Sequence, residues 1–282
     1  MCAAIEQRLS IPFHLVITTS QPEQDIVVPR IPACRSVRVI NTANQGRDIL
    51  PFLRAVGDVA DFEIGLKLHT KKSPQRADGA EWRAEILNSL LPRGDCLQQL
   101  VERLRADPRI GLVAPDGFCL GVKPWVLTNE PGMVSIMSIL GVALTEDDLQ
   151  DAYFAAGSMF WFRRQAITAL TSSAVMGLFE TEKGQFDGTI AHAMERLFPV
   201  EARRRGYVSM AVTALALSRP DMPAEELLDL AGLHADIPNR FFSGPYIAAL
   251  DVTVRSSRLR AIMERLFLKI GRRQRDTQRS LR

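Results

Sequence analysis

Four stretches of this sequence gather the residue types that neutralise anions, move protons or grip hydroxyl groups. In "LKLHTKKS" (residues 66–73) an apolar strand pattern breaks into His69, Thr70, Lys71 and Lys72. Ligands of open α/β sheets lie beyond the carboxyl ends of the strands. Two ammonium groups and an imidazole there suit a diphosphate, whose departing charge needs a cation or a metal. A solvated basic loop has the same composition. In "NQGRDILPFL" (residues 44–53), Gly46 permits a tight turn and the following amides can hold an anion at a helix start. Asn44, Arg47 and Asp48 sit where a nucleotide or sugar would be gripped, although a plain strand-to-helix turn capped by Asp48 fits as well.

The third stretch is "ETEKGQFDGTIAHAMERLF" (residues 180–198). At about 100° per residue, Ile190, Met194 and Leu197 share one helical face, while His192 and Glu195 fall together on the other. Such an i,i+3 pair can orient hydroxyls or a carboxylate, and is also a common solvent-facing pair. Glu180, Glu182 and Asp187 supply carboxylates for a general base. The fourth, "GSMFWFR" (residues 157–163), places Gly157 and Ser158 where a sugar could approach the backbone, with Trp161 and Arg163 following. Phe160 and Phe162 read as core. A GxSxG elbow, a Walker loop and a GxGxxG fingerprint are all absent, which disfavours a serine hydrolase and the commonest nucleotide-binding motifs.

The elements that must position these residues follow from periodicity. "FHLVITT" (Phe13–Thr19), "SVRVINT" (residues 36–42), "FEIGLKLHT" (residues 62–70), "IGLVAP" (residues 110–115) and "GSMFWFR" read as strands. Between them, Ile49, Phe52, Leu53 and Val56 recur at helical spacing. So do Trp82, Ile86, Leu87, Leu90 and Leu91, and then Leu97, Leu100, Val101 and Leu104. This alternation predicts an α/β fold with a mostly parallel sheet flanked by helices. Residues 116–133 read as a long loop. Thr145 is expected to cap a helix, and Asp187 another that runs to about Phe198. Residues 1–217 are expected to form one domain, followed by a C-terminal region, 218–282.

Composition bounds the alternatives. The 282 residues are 46% hydrophobic and 24% charged, ordinary for a globular chain. No apolar run approaches the roughly 20 residues of a spanning helix, and residues 1–12 lack a secretory-signal pattern. Cys2, Cys34, Cys96 and Cys119 are scattered, as in a cytosolic protein with reduced thiols, and show no zinc-site spacing. The net charge of +3 is uneven: residues 251–282 hold ten basic and three acidic residues, leaving 25 basic and 29 acidic before them. An acidic body with a basic tail does not favour nucleic-acid binding. In that tail Leu259, Ile262, Met263, Leu266, Phe267 and Ile270 form one apolar stripe bordered by Arg and Lys. This pattern suits peripheral contact with an anionic membrane, or packing on the body.

Taken in order, "NQGRDILPFL", "LKLHTKKS", "EWRAEILNSLL", "IGLVAP", "GSMFWFR" and "EKGQFDGTIAHAMERL" resemble the rhamnan synthesis protein F family over about residues 13–207. The resemblance implies a bacterial glycosyltransferase of polysaccharide assembly. Comparison with nucleotide-sugar transferases of the GT-A type follows from it. Those folds place a metal-holding Asp-x-Asp after a central strand, where this chain has His69-Thr70-Lys71-Lys72. Lysine charge would then replace the metal, although Asp116 in "APDG" leaves a divalent metal open; no metal ligand or cofactor is assigned.

The resulting expectation is transfer of a sugar from a nucleotide sugar, dTDP-L-rhamnose, to a polysaccharide or lipid-linked glycan acceptor. The transfer would take place in the cytoplasm, at the inner face of the plasma membrane. Asn44, Gly46, Arg47, Asp48, His69, Lys71, Lys72, Gly157 and Ser158 would hold the donor. Glu182 or Asp187 would act as base, with His192 and Glu195 orienting the acceptor or the base. Two other classes fit the residues less closely: a non-catalytic partner in polysaccharide assembly, and another nucleotide-dependent enzyme such as a methyltransferase.

Overall fold

Short β-branched and aromatic runs become strands in this chain, and the amphipathic segments between them become helices. In the computed structural model, which describes residues 2–21, 26, 28, 31–59, 61–70, 78–181 and 187–242, helix α1 (Cys2–Arg8) precedes strands β1 (Phe13–Thr19) and β2 (Cys34–Asn41). Helix α2 (Ile49–Asp58) leads to β3 (Ile64–Lys67); α3 (Gly79–Leu90) and α4 (Cys96–Ala106) lead to β4 (Ile110–Ala114). Next come β5 (Cys119–Gly121), α5 (Glu130–Ile139), β6 (Tyr153–Ala155) and β7 (Phe160–Arg163). The short helices α6 (Arg164–Ile167) and α7 (Ser173–Met176) are followed by α8 (Ile190–Arg204), β8 (Val208–Ala211), α9 (Val212–Leu217) and α10 (Ala224–Leu233).

The strands form three small sheets. β1 and β2 pair in parallel by themselves, β5 and β6 pair antiparallel, and four strands line up as β3-β7-β4-β8. β7 runs antiparallel to both β3 and β4, while β4 and β8 are parallel. The protein is therefore mixed α/β, and its described strands form small mixed sheets where a mostly parallel sheet was expected. All four residues of β7 are buried. A strand covered on both faces shows an unbroken apolar run whichever way it points, so its direction is not written in its composition.

Three of the four strands nonetheless point the same way. The carboxyl ends of β3, β4 and β8 thus share one edge with the start of β7, and the turn at residues 157–158 lies at that edge. Helix α2 covers this region, burying Ile49, Leu50, Leu53 and Val56. Phe52, on the same helix, meets Phe160, Phe162 and Phe198 edge-on, with ring centroids 5.1–5.9 Å apart. Gly65 makes room for this cluster: a Cβ there would lie 2.4 Å from Phe162 Cζ.

Two residues of "GSMFWFR" prove to be structural. The Trp161 indole donates to Leu90 O at 2.9 Å. The buried Arg163 guanidinium donates to the carbonyls of Leu104 and Ile110 and pairs with Glu63. The expected loop at 116–133 contains β5 and the start of α5. Thr145, expected to cap a helix, exchanges hydrogen bonds with Asp148 beside the single 3-10 turn Asp147–Leu149, whose N-cap is Glu146.

By internal contacts the chain divides into Met1–Ile237 and Pro238–Arg282. Of the second unit only residues 238–242 are described, so the basic apolar-striped tail lies outside the described residues. Among the described residues no helix is long and apolar enough to cross a membrane.

Candidate functional site

β3 ends on a lysine where its apolar pattern calls for a hydrophobic residue. Lys67 is 4% exposed, and a buried ammonium requires partners. It has three. Its Nζ donates to Asp48 Oδ2 at 2.5 Å, to Ser158 O at 2.6 Å and to Ser158 Oγ at 2.9 Å. Phe52 and Phe160 flank it, with centroids 5.4 and 5.9 Å away. Two residues on, the His69 Nε2–H donates to Gly157 O at 2.7 Å and lies 3.9 Å from Asp48 Oδ2.

Backbone geometry presents these partners. Gly46 (φ 66°) and Arg47 (φ 55°) are both left-handed and carry the chain into α2, just ahead of Asp48. A Cβ on Gly46 would lie 2.5 Å from both Leu50 Cβ and Phe179 Cδ1. Gly157 (φ 93°) and Ser158 (φ 55°) make a second left-handed pair, whose two carbonyls meet His69 and Lys67. Burial opposes ionisation of Asp48, but the Lys67 ammonium and, less strongly, His69 outweigh it. The carboxyl is held well below the usual carboxylate range.

A second cluster forms where the chain enters α8. Asp187 Oδ2 accepts from Thr128 Oγ1 at 2.7 Å, and the buried Asn129 amide donates to Oδ1 and Oδ2 at 3.2 and 3.3 Å. Asn129 Oδ1 in turn accepts from Gly188 N. Asp187 does not cap the helix, as had been expected. Thr189 does, in a capping box with His192, and the helix runs on to Arg204. His192 Nδ1 lies 2.8 Å from Thr189 Oγ1 and 3.9 Å from Asp187 Oδ1. Both oxygens of Glu180 accept from Ile190 N, at 3.1 and 3.2 Å.

Glu195, on α8, is influenced by charges of both clusters. It pairs with Arg196 Nη1 at 2.7 Å. Burial raises its pKa most and Arg196 opposes this, while the negative charges of Asp48 and Asp187 both add to the rise. Its carboxyl therefore feels both groups. The loops are also tied directly, since Gln45 bridges to Thr181 and its amide donates to Phe179 O.

Of the residues singled out by sequence, Asp48, His69, Gly157 and Ser158 meet around Lys67. Asp187 and His192 meet at the start of α8. Asn44 is exposed on the turn before Gly46. Lys71, Lys72 and Glu182 lie outside the described residues. Asp116 joins neither cluster: its carboxylate accepts from Thr213 N at 2.8 Å and Ser89 Oγ at 3.3 Å, tying the loop after β4 to α9 and α3. Among the described residues no group of three or more His, Cys, Asp or Glu is placed to hold a metal ion. Sequence reasoning missed Lys67, Thr128 and Asn129. The period of two, which puts Gly65, Lys67 and His69 on one side of the strand, was a usable signal for Lys67.

Fold and site together define a mixed α/β protein with a cluster of carboxylates, imidazoles and one buried ammonium beside the carboxyl edge of its four-stranded sheet. The chain belongs to the rhamnan synthesis protein F (RgpF) family, which it matches over residues 1–207. It is 36% identical over 207 residues to uncharacterized protein WxcX from two strains of Xanthomonas campestris pv. campestris. That alignment covers 70% of this chain but 28% of each relative, so the chain spans little more than a quarter of the curated relatives it matches. No solved structure matches it. Both clusters lie inside the matched residues.

Proposed function

We propose that this chain is a glycosyltransferase, with a GT-A-like arrangement over residues 1–217. It moves L-rhamnose from dTDP-L-rhamnose to a growing bacterial cell-surface polysaccharide, inverting the anomeric carbon. Membership of a family named for rhamnan synthesis supports the substrate class. The observation that carries the reading is the meeting of Asp48, His69, Gly157 and Ser158 around one buried lysine at the carboxyl edge of the sheet.

In this reading the turn at Asn44, Gly46 and Arg47 and the carboxylate of Asp48 hold polar groups of the donor. His69, with Lys71 and Lys72 directly after it in the chain, attends the diphosphate. The acceptor hydroxyl oxygen attacks the anomeric carbon, the bond to the diphosphate breaks, and the electron pair leaves with the diphosphate. Asp187, oriented by Thr128 and Asn129, takes the hydroxyl proton; Glu182 is the competing base. The oxocarbenium-like character of the reacting carbon is shared with glycoside hydrolysis. His192 and Glu195 keep Asp187 and the acceptor in place. Residues 218–282 form the C-terminal region whose basic stripe would meet the inner leaflet, where lipid-linked acceptors are held.

The test is a thermal-shift panel of nucleotide sugars with and without chelator, followed by dTDP release on adding acceptor oligosaccharide. The expected result is selective stabilisation by dTDP-L-rhamnose and acceptor-dependent dTDP release, both persisting in chelator. Binding without release would leave a non-catalytic partner of polysaccharide assembly. Stabilisation by none of the nucleotide sugars would overturn the proposal.

A further inference from the structure

We infer that Lys67 is a positioning residue: it clamps the Asp48 carboxylate to the Gly157–Ser158 turn and so assembles the donor half of the site without touching substrate. The inference rests on the donor-binding reading of Asp48. An ammonium has three N–H bonds, and Lys67 directs them to Asp48 Oδ2, Ser158 O and Ser158 Oγ. None remains for a phosphate or a sugar. The partners stand 19 and 91 residues away in the chain, on α2's threshold and on the turn entering β7. One side chain therefore joins three segments at one point.

The clamp also explains how two strained turns can serve a binding site. Left-handed non-glycine backbone at Ser158 is strained and persists only where surroundings enforce it. Here the Ser158 carbonyl and hydroxyl are both drawn onto the ammonium, and the preceding carbonyl onto His69. On the other side, Lys67 engages one oxygen of Asp48. Among the described residues no side chain donates to the second, Oδ1, while a backbone N–H also bonds the carboxyl.

Asp48 faces Lys67 and His69 from the end of β3, and Glu195, itself paired with Arg196, from α8. This sets different pH responses with and without the ammonium. In the intact protein Asp48 is ionised at a lowered pKa. Its contribution to stability is present above the unfolded value of about 3.9 and is lost as pH falls through the folded one. In Lys67→Met the main charge opposing burial is gone and His69 is left against it, so the folded pKa of Asp48 moves upward. That variant therefore regains stability relative to wild type as pH falls through its higher folded pKa.

The experiment measures melting temperature without ligand from about pH 8 down to about pH 3 for wild type, Lys67→Met and Lys67→Met/Asp48→Asn. The gap between wild type and Lys67→Met should narrow as pH falls, and the gap to the double variant should stay constant. A constant gap for Lys67→Met means its stem merely fills space, which overturns the clamp. If Lys67→Met does not fold, Lys67→Gln is read by the same criterion. In the folded variant, affinity for dTDP-L-rhamnose should drop by up to roughly 100-fold, as for a site loosened by about an ångström, with turnover at saturation less affected. Unchanged affinity would also overturn the inference. Failure of wild type to bind any nucleotide sugar would remove the transferase reading, whereas the pH comparison, made without ligand, still decides the clamp.

Discussion

Asp48 and Asp187, the carboxylates of the two clusters and of the proposed site, are held by different chemistry. Asp48 is gripped by an ammonium at 2.5 Å with its side chain 17% exposed. Asp187, at 23%, takes its hydrogen bonds from a hydroxyl and an amide. An ion pair adds the Coulomb attraction of the cation, which a neutral donor to a carboxylate lacks. The cation holds Asp48 as a fixed negative charge, a poor acceptor of protons and a good partner for donor groups. Neutral donors aim Asp187 without binding its lone pairs so firmly, which suits a base. The two regions look alike in sequence, an aspartate within two residues of a glycine in "QGRD" and "FDG", and the difference lies in what packs against each.

The largest expected effect tests that division directly. Asp187→Asn keeps size and removes the proton acceptor, so the transfer rate should fall roughly 10²–10⁴-fold while donor affinity changes little. Single-turnover rates at saturating donor make the measurement. If Asp48→Asn stops turnover there and Asp187→Asn does not, the two roles are exchanged. If neither does, Glu182 becomes the leading base.

Next in size is Gly46→Ala on the Asp48 side. Its Cβ would collide with Leu50 and Phe179 at a left-handed backbone, costing about 1–3 kcal/mol as an overpacked site. A urea midpoint read against an unchanged m-value checks this. The smallest effect belongs to Glu180→Gln on the Asp187 side, where loss of a carboxylate at the start of α8 should cost about 0.3–1 kcal/mol and diminish in salt. A loss larger than that of Gly46→Ala would mean the Asp187 side is the more tightly built of the two.

Much of this was legible beforehand. The β-branched run of β1, the buried stripe of α2 and the unbroken apolar β4 follow from their residue patterns, and the turn at Gly46 from its glycine; Gly157 and Ser158 read as the start of a strand, whereas they form a left-handed turn ahead of Phe160. The misreadings share one cause. The cap of α8 went to Asp187 because it is the first acid before the apolar stripe. The helix instead starts two residues later, where Thr189 and His192 can satisfy each other, and Asp187 is drawn away by Asn129 from 58 residues upstream. β7 was placed correctly but without its direction, since both its faces are covered. Lys67 passed for a strand residue because the reason for a buried ammonium, Ser158, lies 91 residues further on.

The sequence by itself determined the alternation of strands and helices, the ordered motifs that mark the family, and the set of residues from which a site could be built. Those features arise from interactions over a few residues: side-chain periodicity, turn conformations and capping. Tertiary structure alone decided which of those residues meet. It reversed β7 within the sheet, brought Asp48 and Ser158 onto one buried lysine, and set Asn129 against Asp187. These choices are made by packing between segments distant in the chain, where a buried charge or carboxylate must find its partner across the fold or go unpaired.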